Sequence, residues 1–313
     1  MSFLDKILSP RPPATALSLD GQSATVVQLE RSRGAFALRR AATSALPEGL
    51  VRPDFTETNI ADPDQFADFL ATLSESAGLA RQRKWSVALP EACAATHILT
   101  LEQKPATRNE LEEVLRWKTE RLFAAPYEAL RTTRDALPPD ATGRARYLLA
   151  GIRLAVLDEY EDVFADLGWK AGFIVPRHVG EARWLARKGA TAGDALLVSA
   201  HPEGFTALVQ RNGQPLILRS VPCEPNDLDD ELYRLLLFYR DRSGLDEAAP
   251  LPLNQLLVVG AEPERQHIAR IVNETLATSL RALTPPEIGL NLPDTQISFA
   301  SVAAPAGLAA LAW

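Results

Sequence analysis

The sequence predicts an α/β protein in which a hairpin-led sheet with covering helices occurs twice, with an α+β module of the split βαβ type set into the first half. Three observations predict it. Asp20-Gly21 is flanked by apolar runs within Thr15 to Leu29, a strong hairpin signal because both turn residues accept positive φ. Asn212-Gly213 repeats the device between Phe205–Gln210 and Pro215–Val221, and in each half the hairpin keeps company with a third strand, a helix and a further strand. Between the two, residues 96–173 read strand, helix, strand, strand, helix, strand.

In chain order, Phe3, Leu4, Ile7 and Leu8 give the tail a short helical spacing that Pro12-Pro13 closes. Ala35 to Ala42 is the third strand by composition. Asp62 to Ala80 is a helix with Phe66, Phe69, Leu70, Leu73 and Ala77 along one face, and Trp85 to Leu89 is a strand closed by Pro90. In the insert, Ile98–Leu101 is a strand, and Thr107 and Glu110 form a capping box for the helix that follows. Leu130–Leu137 pairs with Ala145–Ile152, Ala155–Leu167 is a helix ended by Gly168, and Lys170–Val175 is the last strand. Pro176–Lys188 is a helix, with Gly189 and Gly193 as a joint. Ala195–Ser199 opens the second half, Asp229–Ser243 and Glu264–Leu276 are helices around the apolar strand Leu256–Gly260, and Gln296–Val302 reads as a closing strand before the tail GLAALAW. The expected division is 1–13, an N-terminal tail; 14–94 with 175–190, the first subdomain; 95–174, the insert; and 191–313, the second half.

A 313-residue chain with 46% hydrophobic and 23% charged residues is an ordinary globular one, long enough for two cores. Its net charge of −7 argues against nucleic-acid binding. Cys93 and Cys223 stand in no metal or redox spacing and read as free thiols. No apolar run reaches the roughly 18 residues of a membrane span, so a cytoplasmic location is expected. There is no Walker A run, G-x-G-x-x-G, G-x-S-x-G or H-E-x-x-H, and His97, His178, His201 and His267 are scattered.

LSLDGQSATVVQL, SVALP, NELEEVLRWKTERLFAAPYEALR, LLVSAHPEGFTALVQRNGQPLILRSV, ELYRLLLFYRDRSG, LLVVGAEPE and GLAALAW, in that order, resemble the actin-like ATPases of the FtsA and PilM kind, most closely PilM of type IV pilus assembly. The resemblance implies an actin-like (duplicated ribonuclease H-like) fold with an SHS2-like insert. It also implies a nucleotide site and a groove, between the first subdomain and the insert, for the N-terminal cytoplasmic peptide of a PilN-like inner-membrane protein. Self-assembly into a ring is a further expectation. The actin-like cytoplasmic component of type II secretion, of the GspL kind, is the rival reading.

The family's nucleotide elements are altered. Its first turn, Asp-x-Gly then Lys, has Ser18, Asp20 and Thr25 at those places, with Gly21, Gln22 and Ser23 between. The second has Ser199 and His201, and the paired-glycine turn is reduced to Gly260-Ala261. Magnesium needs an anionic oxygen at about 2.1 Å, and Asp20, two strand residues from Ser18, is displaced by about 6.6 Å. Thr25 brings no charge to a phosphate. These substitutions disfavour ATP and magnesium as cofactors, and no residue stands out to orient an attacking water. The expected function is therefore a non-catalytic adaptor held at the inner membrane through its partner; an ATP-driven switch is the alternative, and a small-molecule kinase lacks its catalytic aspartate.

Overall fold

The computed structural model describes residues 12–32, 34–103, 105–187, 193–243, 253–293 and 297–313. Most of the expected N-terminal tail (1–11), Lys188 at the end of the expected helix, Gly189 of the joint, and Gln296 lie outside the described residues.

Strands β1 (Thr15–Leu19), β2 (Ser23–Ser32) and β3 (Ala35–Ala45) form an antiparallel meander, and helix α1 (Pro63–Ser76) leads to β4 (Lys84–Leu89), which pairs parallel to β1. Asp62 starts α1 by accepting the Gln65 N–H at 2.9 Å, and Gly78 ends it at φ 69°. The second half repeats the plan. β9 (Asp194–His201), β10 (Gly204–Arg211) and β11 (Gln214–Pro222) form a meander, α5 (Leu228–Ser243) follows, and β12 (Leu253–Val259) returns parallel to β9. The strand orders β3-β2-β1-β4 and β11-β10-β9-β12 are therefore the same. Asn212 and Gly213 both take positive φ, 53° and 74°, as a two-residue hairpin demands. Asp20 and Gly21 do not: neither has positive φ, and that turn is closed by the Asp20 N–H donating to the Ser23 carbonyl at 3.0 Å together with the bonds its carboxylate accepts.

The insert differs from expectation. β5 (Ala94–Thr100), α2 (Arg108–Phe123), β6 (Leu130–Leu137) and β7 (Arg146–Arg153) make a separate sheet of order β5-β7-β6 with α2 on one face. The expected last helix and strand of 95–174 leave it: α3 (Leu154–Asp166) packs beside α1, and β8 (Lys170–Pro176) pairs parallel to β4. The apolar stripe of α3, with Tyr160 and Phe164, matches Phe66, Leu70 and Trp85, so the core of the first layer claims it.

The closing strand expected at Gln296–Val302 is a helix, α7 (Phe299–Ala309). Its sequence, FASVAAPAGLA, is apolar on every side and lacks a helical period because protein surrounds it. Together with β13 (Leu290–Asn291), which pairs with β3, it returns the chain to the first sheet rather than the second. α7 packs against β1, β2 and β4 and against α4 (Arg177–Arg187), and a core including Trp184, Val302 and Leu308 joins these to Leu197 and Leu257 of the second sheet. A further helix, α6 (Glu262–Leu276), lies with α5 on the other face of that sheet.

Candidate functional site

Where the two sheets approach, the β1–β2 turn carries Asp20, and its carboxylate folds back onto the turn. Oδ1 accepts the N–H groups of Gln22 and Ser23 at 2.8 and 2.6 Å; Oδ2 accepts the Ser23 hydroxyl and an Arg177 N–H, each at 2.9 Å. Asp20 thus lies in the turn beyond the end of β1 rather than two residues along the strand from Ser18. Ser18 is buried opposite Thr25, whose hydroxyl bonds Thr43 at 3.0 Å. Gly21 lies close to the second half: a Cβ there would sit 2.8 Å from Glu203 Oε1, the end of a side chain in the connection after β9. Gly260 follows β12, where a Cβ would meet Glu264 Oε2 at 2.6 Å, and it lies beside Ala200 rather than in the Asp20 cluster.

The start of α4 organises the rest. Pro176 closes β8 and the helix begins at once, so its first N–H groups need outside acceptors. Glu91, just past β4, takes the His178 N–H at 2.7 Å and lies 2.8 Å from the His178 ring Nδ1. Burial opposes ionisation of Glu91, but His178 overcomes it and holds the carboxyl at about 2. Burial likewise opposes the charged His178 ring, and Glu91 outweighs it and raises the ring above the ordinary histidine value. The network crosses to the second sheet through the Ser220 hydroxyl, 3.4 Å from Glu91, then Thr206 at 2.9 Å and His201. Glu181, one turn after Arg177, is wholly buried and makes no hydrogen bond among the described residues; Arg177 Nη2 is 3.6 Å away, and Ser199 faces it from β9. Burial pushes the Glu181 carboxyl up, against the pull of Arg177.

Ser18, Asp20, Gly21, Gln22, Ser23 and Thr25 therefore sit on one hairpin, Ser199 and His201 on β9, and Gly260 apart. Sequence reasoning missed Glu91, Arg177, His178 and Glu181. The readable signals were an acid directly after the strand-closing Pro90 and an Arg–Glu pair at i, i+4.

A second feature is a groove between the insert and the first layer. β8 is the last strand of the first sheet and β6 the last of the insert sheet, so each presents an edge without a strand partner among the described residues. A cavity of about 230 Å³ lies between them, lined mainly by apolar groups such as Leu89, Ile152, Leu157 and Ile174, with Arg131 and Glu161. Gly172 of β8 also lines it, and a Cβ there would meet only open space.

The duplicated strand order, the helices between the sheets and the insert after β4 define an actin-like fold. Its form is PilM-like: a chain of a solved PilM–PilN type IV pilus biogenesis complex is similar over 96% of this chain and 98% of that one, with a TM-score of 0.73 and 18% identity. More remote are a Bacteroides thetaiotaomicron protein of actin-like ATPase fold and unknown function (TM-score 0.45, 12% identity, 97% and 98% of the two chains) and the cytoplasmic domain of EpsL, an inner-membrane component of the Vibrio cholerae type II secretion system (0.44, 14%, 86% and 97%). No family model matches the chain, and no curated protein matches it at a significant level. Among the described residues no helix is long and apolar enough to cross a membrane.

Proposed function

We propose that the protein is a non-catalytic actin-like adaptor of type IV pilus assembly that binds the N-terminal cytoplasmic peptide of a PilN-like inner-membrane partner. The carrying observation is the pair of strand edges, β6 and β8, that have no strand partner among the described residues and line one largely apolar groove. Such edges hold an extended segment by main-chain hydrogen bonds while side-chain pockets select its residues. The partner would keep the adaptor on the cytoplasmic face of the inner membrane, and the groove would lie where the insert sheet meets β8 of the first sheet.

The test is titration of the full chain with the partner peptide. Binding at tens of micromolar or tighter, roughly −6 kcal/mol, is expected. Gly172→Trp should weaken it at least about tenfold, because the ring would occupy the groove that Gly172 lines, while a Cβ there meets no neighbour within 4 Å. Absence of binding at 1 mM (about −4 kcal/mol) would refute the adaptor reading.

The nucleotide site belongs to the same proposal. Hydroxyls at Ser18 and Ser199 replace metal ligands, and the turn N–H groups already hold Asp20. Magnesium ATP is therefore expected to leave the thermal midpoint unmoved. A working site at a hundred times its Kd would add about 2.7 kcal/mol, a shift that differential scanning calorimetry resolves.

A further inference from the structure

The donors gathered at the β1–β2 turn are those of an anion site: two backbone N–H groups, a hydroxyl and a buried guanidinium. The anion they hold is the chain's own. A second acid, Glu181, faces the same guanidinium from a wholly buried position, its oxygens without hydrogen bonds among the described residues. One guanidinium thus serves a carboxylate whose oxygens accept four hydrogen bonds and another whose oxygens accept none.

The arrangement reaches several elements. Arg177 belongs to α4, and its Nη2 is 3.5 Å from the Ala300 carbonyl at the start of α7. Gly21 brings the turn against Glu203 of the second half. We propose that Asp20 is a tethered anion filling a site built by Gln22, Ser23 and Arg177, and that it fastens the turn, α4 and α7 with no bound ligand. Once vacated, the site takes a small oxyanion of the phosphate class. The inference is independent of the peptide groove: either can fail without the other.

The test is chemical rescue of the full chain, comparing inorganic phosphate with chloride at equal ionic strength. Wild type should melt at the same temperature in both. Asp20→Ala should melt lower by on the order of 5 °C and regain most of that loss in phosphate. Asp20→Ala with Arg177→Met should lose the rescue, which separates site binding from general salt effects. If Asp20→Ala does not fold, Asp20→Ser, whose shorter side chain keeps a turn acceptor but leaves the space before Arg177 empty, carries the same comparison. A folded variant that melts identically in phosphate and chloride overturns the proposal, as does equal rescue in the double variant. Peptide titration of the same variants separates this outcome from failure of the adaptor reading.

Discussion

Gly307→Val is expected to destabilise the protein by at least about 1–3 kcal/mol, the usual cost of forcing atoms into a filled core. The helices α4 and α7 cross with their backbones in contact. A Cβ on Gly307 would lie 1.8 Å from the Gly180 carbonyl oxygen, and one on Gly180 would lie 2.2 Å from that of Ala304. Neither obstacle is a side-chain end that could swing aside, so the helices must part. Gly307→Ala decides between two effects. Helix propensity alone favours alanine by about 1 kcal/mol, so a stabilised Gly307→Ala would show that the crossing relaxes; the backbone contact predicts a loss. Parting the helices would also strain the Trp184 Nε1 bond to the Ala303 carbonyl, 2.8 Å long. Urea unfolding of both variants, with Gly172→Ala as a control in open space, measures the difference.

Glu91→Ala is expected to cost about 3–5 kcal/mol, because it leaves a buried partner uncompensated. It removes the acceptor of the His178 N–H and the counter-charge of its ring. The pH dependence carries a sign. Glu91 is held down at about 2, so its contribution is present above the unfolded carboxyl value near 4.5 and is lost as pH falls toward 2. His178 is raised, so its contribution is full below the unfolded imidazole value of about 6.5 and is lost as pH rises through the higher folded value. Stability from the pair is therefore greatest between about 4.5 and 6.5 and declines on both sides. Glu91→Gln, close in shape but uncharged, should lose less than Glu91→Ala and flatten the alkaline limb. Midpoints of wild type and variant from pH 5 to 9 check this; an equally steep alkaline limb in Glu91→Gln would assign the slope to another group.

Local chemistry made much of the fold readable. Asn212-Gly213 needed two positive φ angles and has them, Asp62 and Gly78 delimit α1, and the repeated strand order followed from the repeated hairpins. The misreadings came where tertiary surroundings decide. α7 has no polar face, so periodicity could not reveal it. α3 and β8 follow the insert sheet in sequence, yet their apolar faces fit the first layer better. Asp20 was legible as a turn former, but its partner Arg177 is 157 positions away, and no local pattern links them. The groove depends on which strands end up at sheet edges, a property of topology.

The placement of α7 bears on how the molecule is made. Its contacts with β1, β2 and β4 join residues more than 200 positions apart, a contribution to high contact order that slows folding. At about 5–20 residues per second, ribosomal synthesis leaves one face of the first sheet bare for roughly ten seconds or more before its cover emerges. During that interval the nascent polypeptide exposes an apolar surface of the kind chaperones recognise.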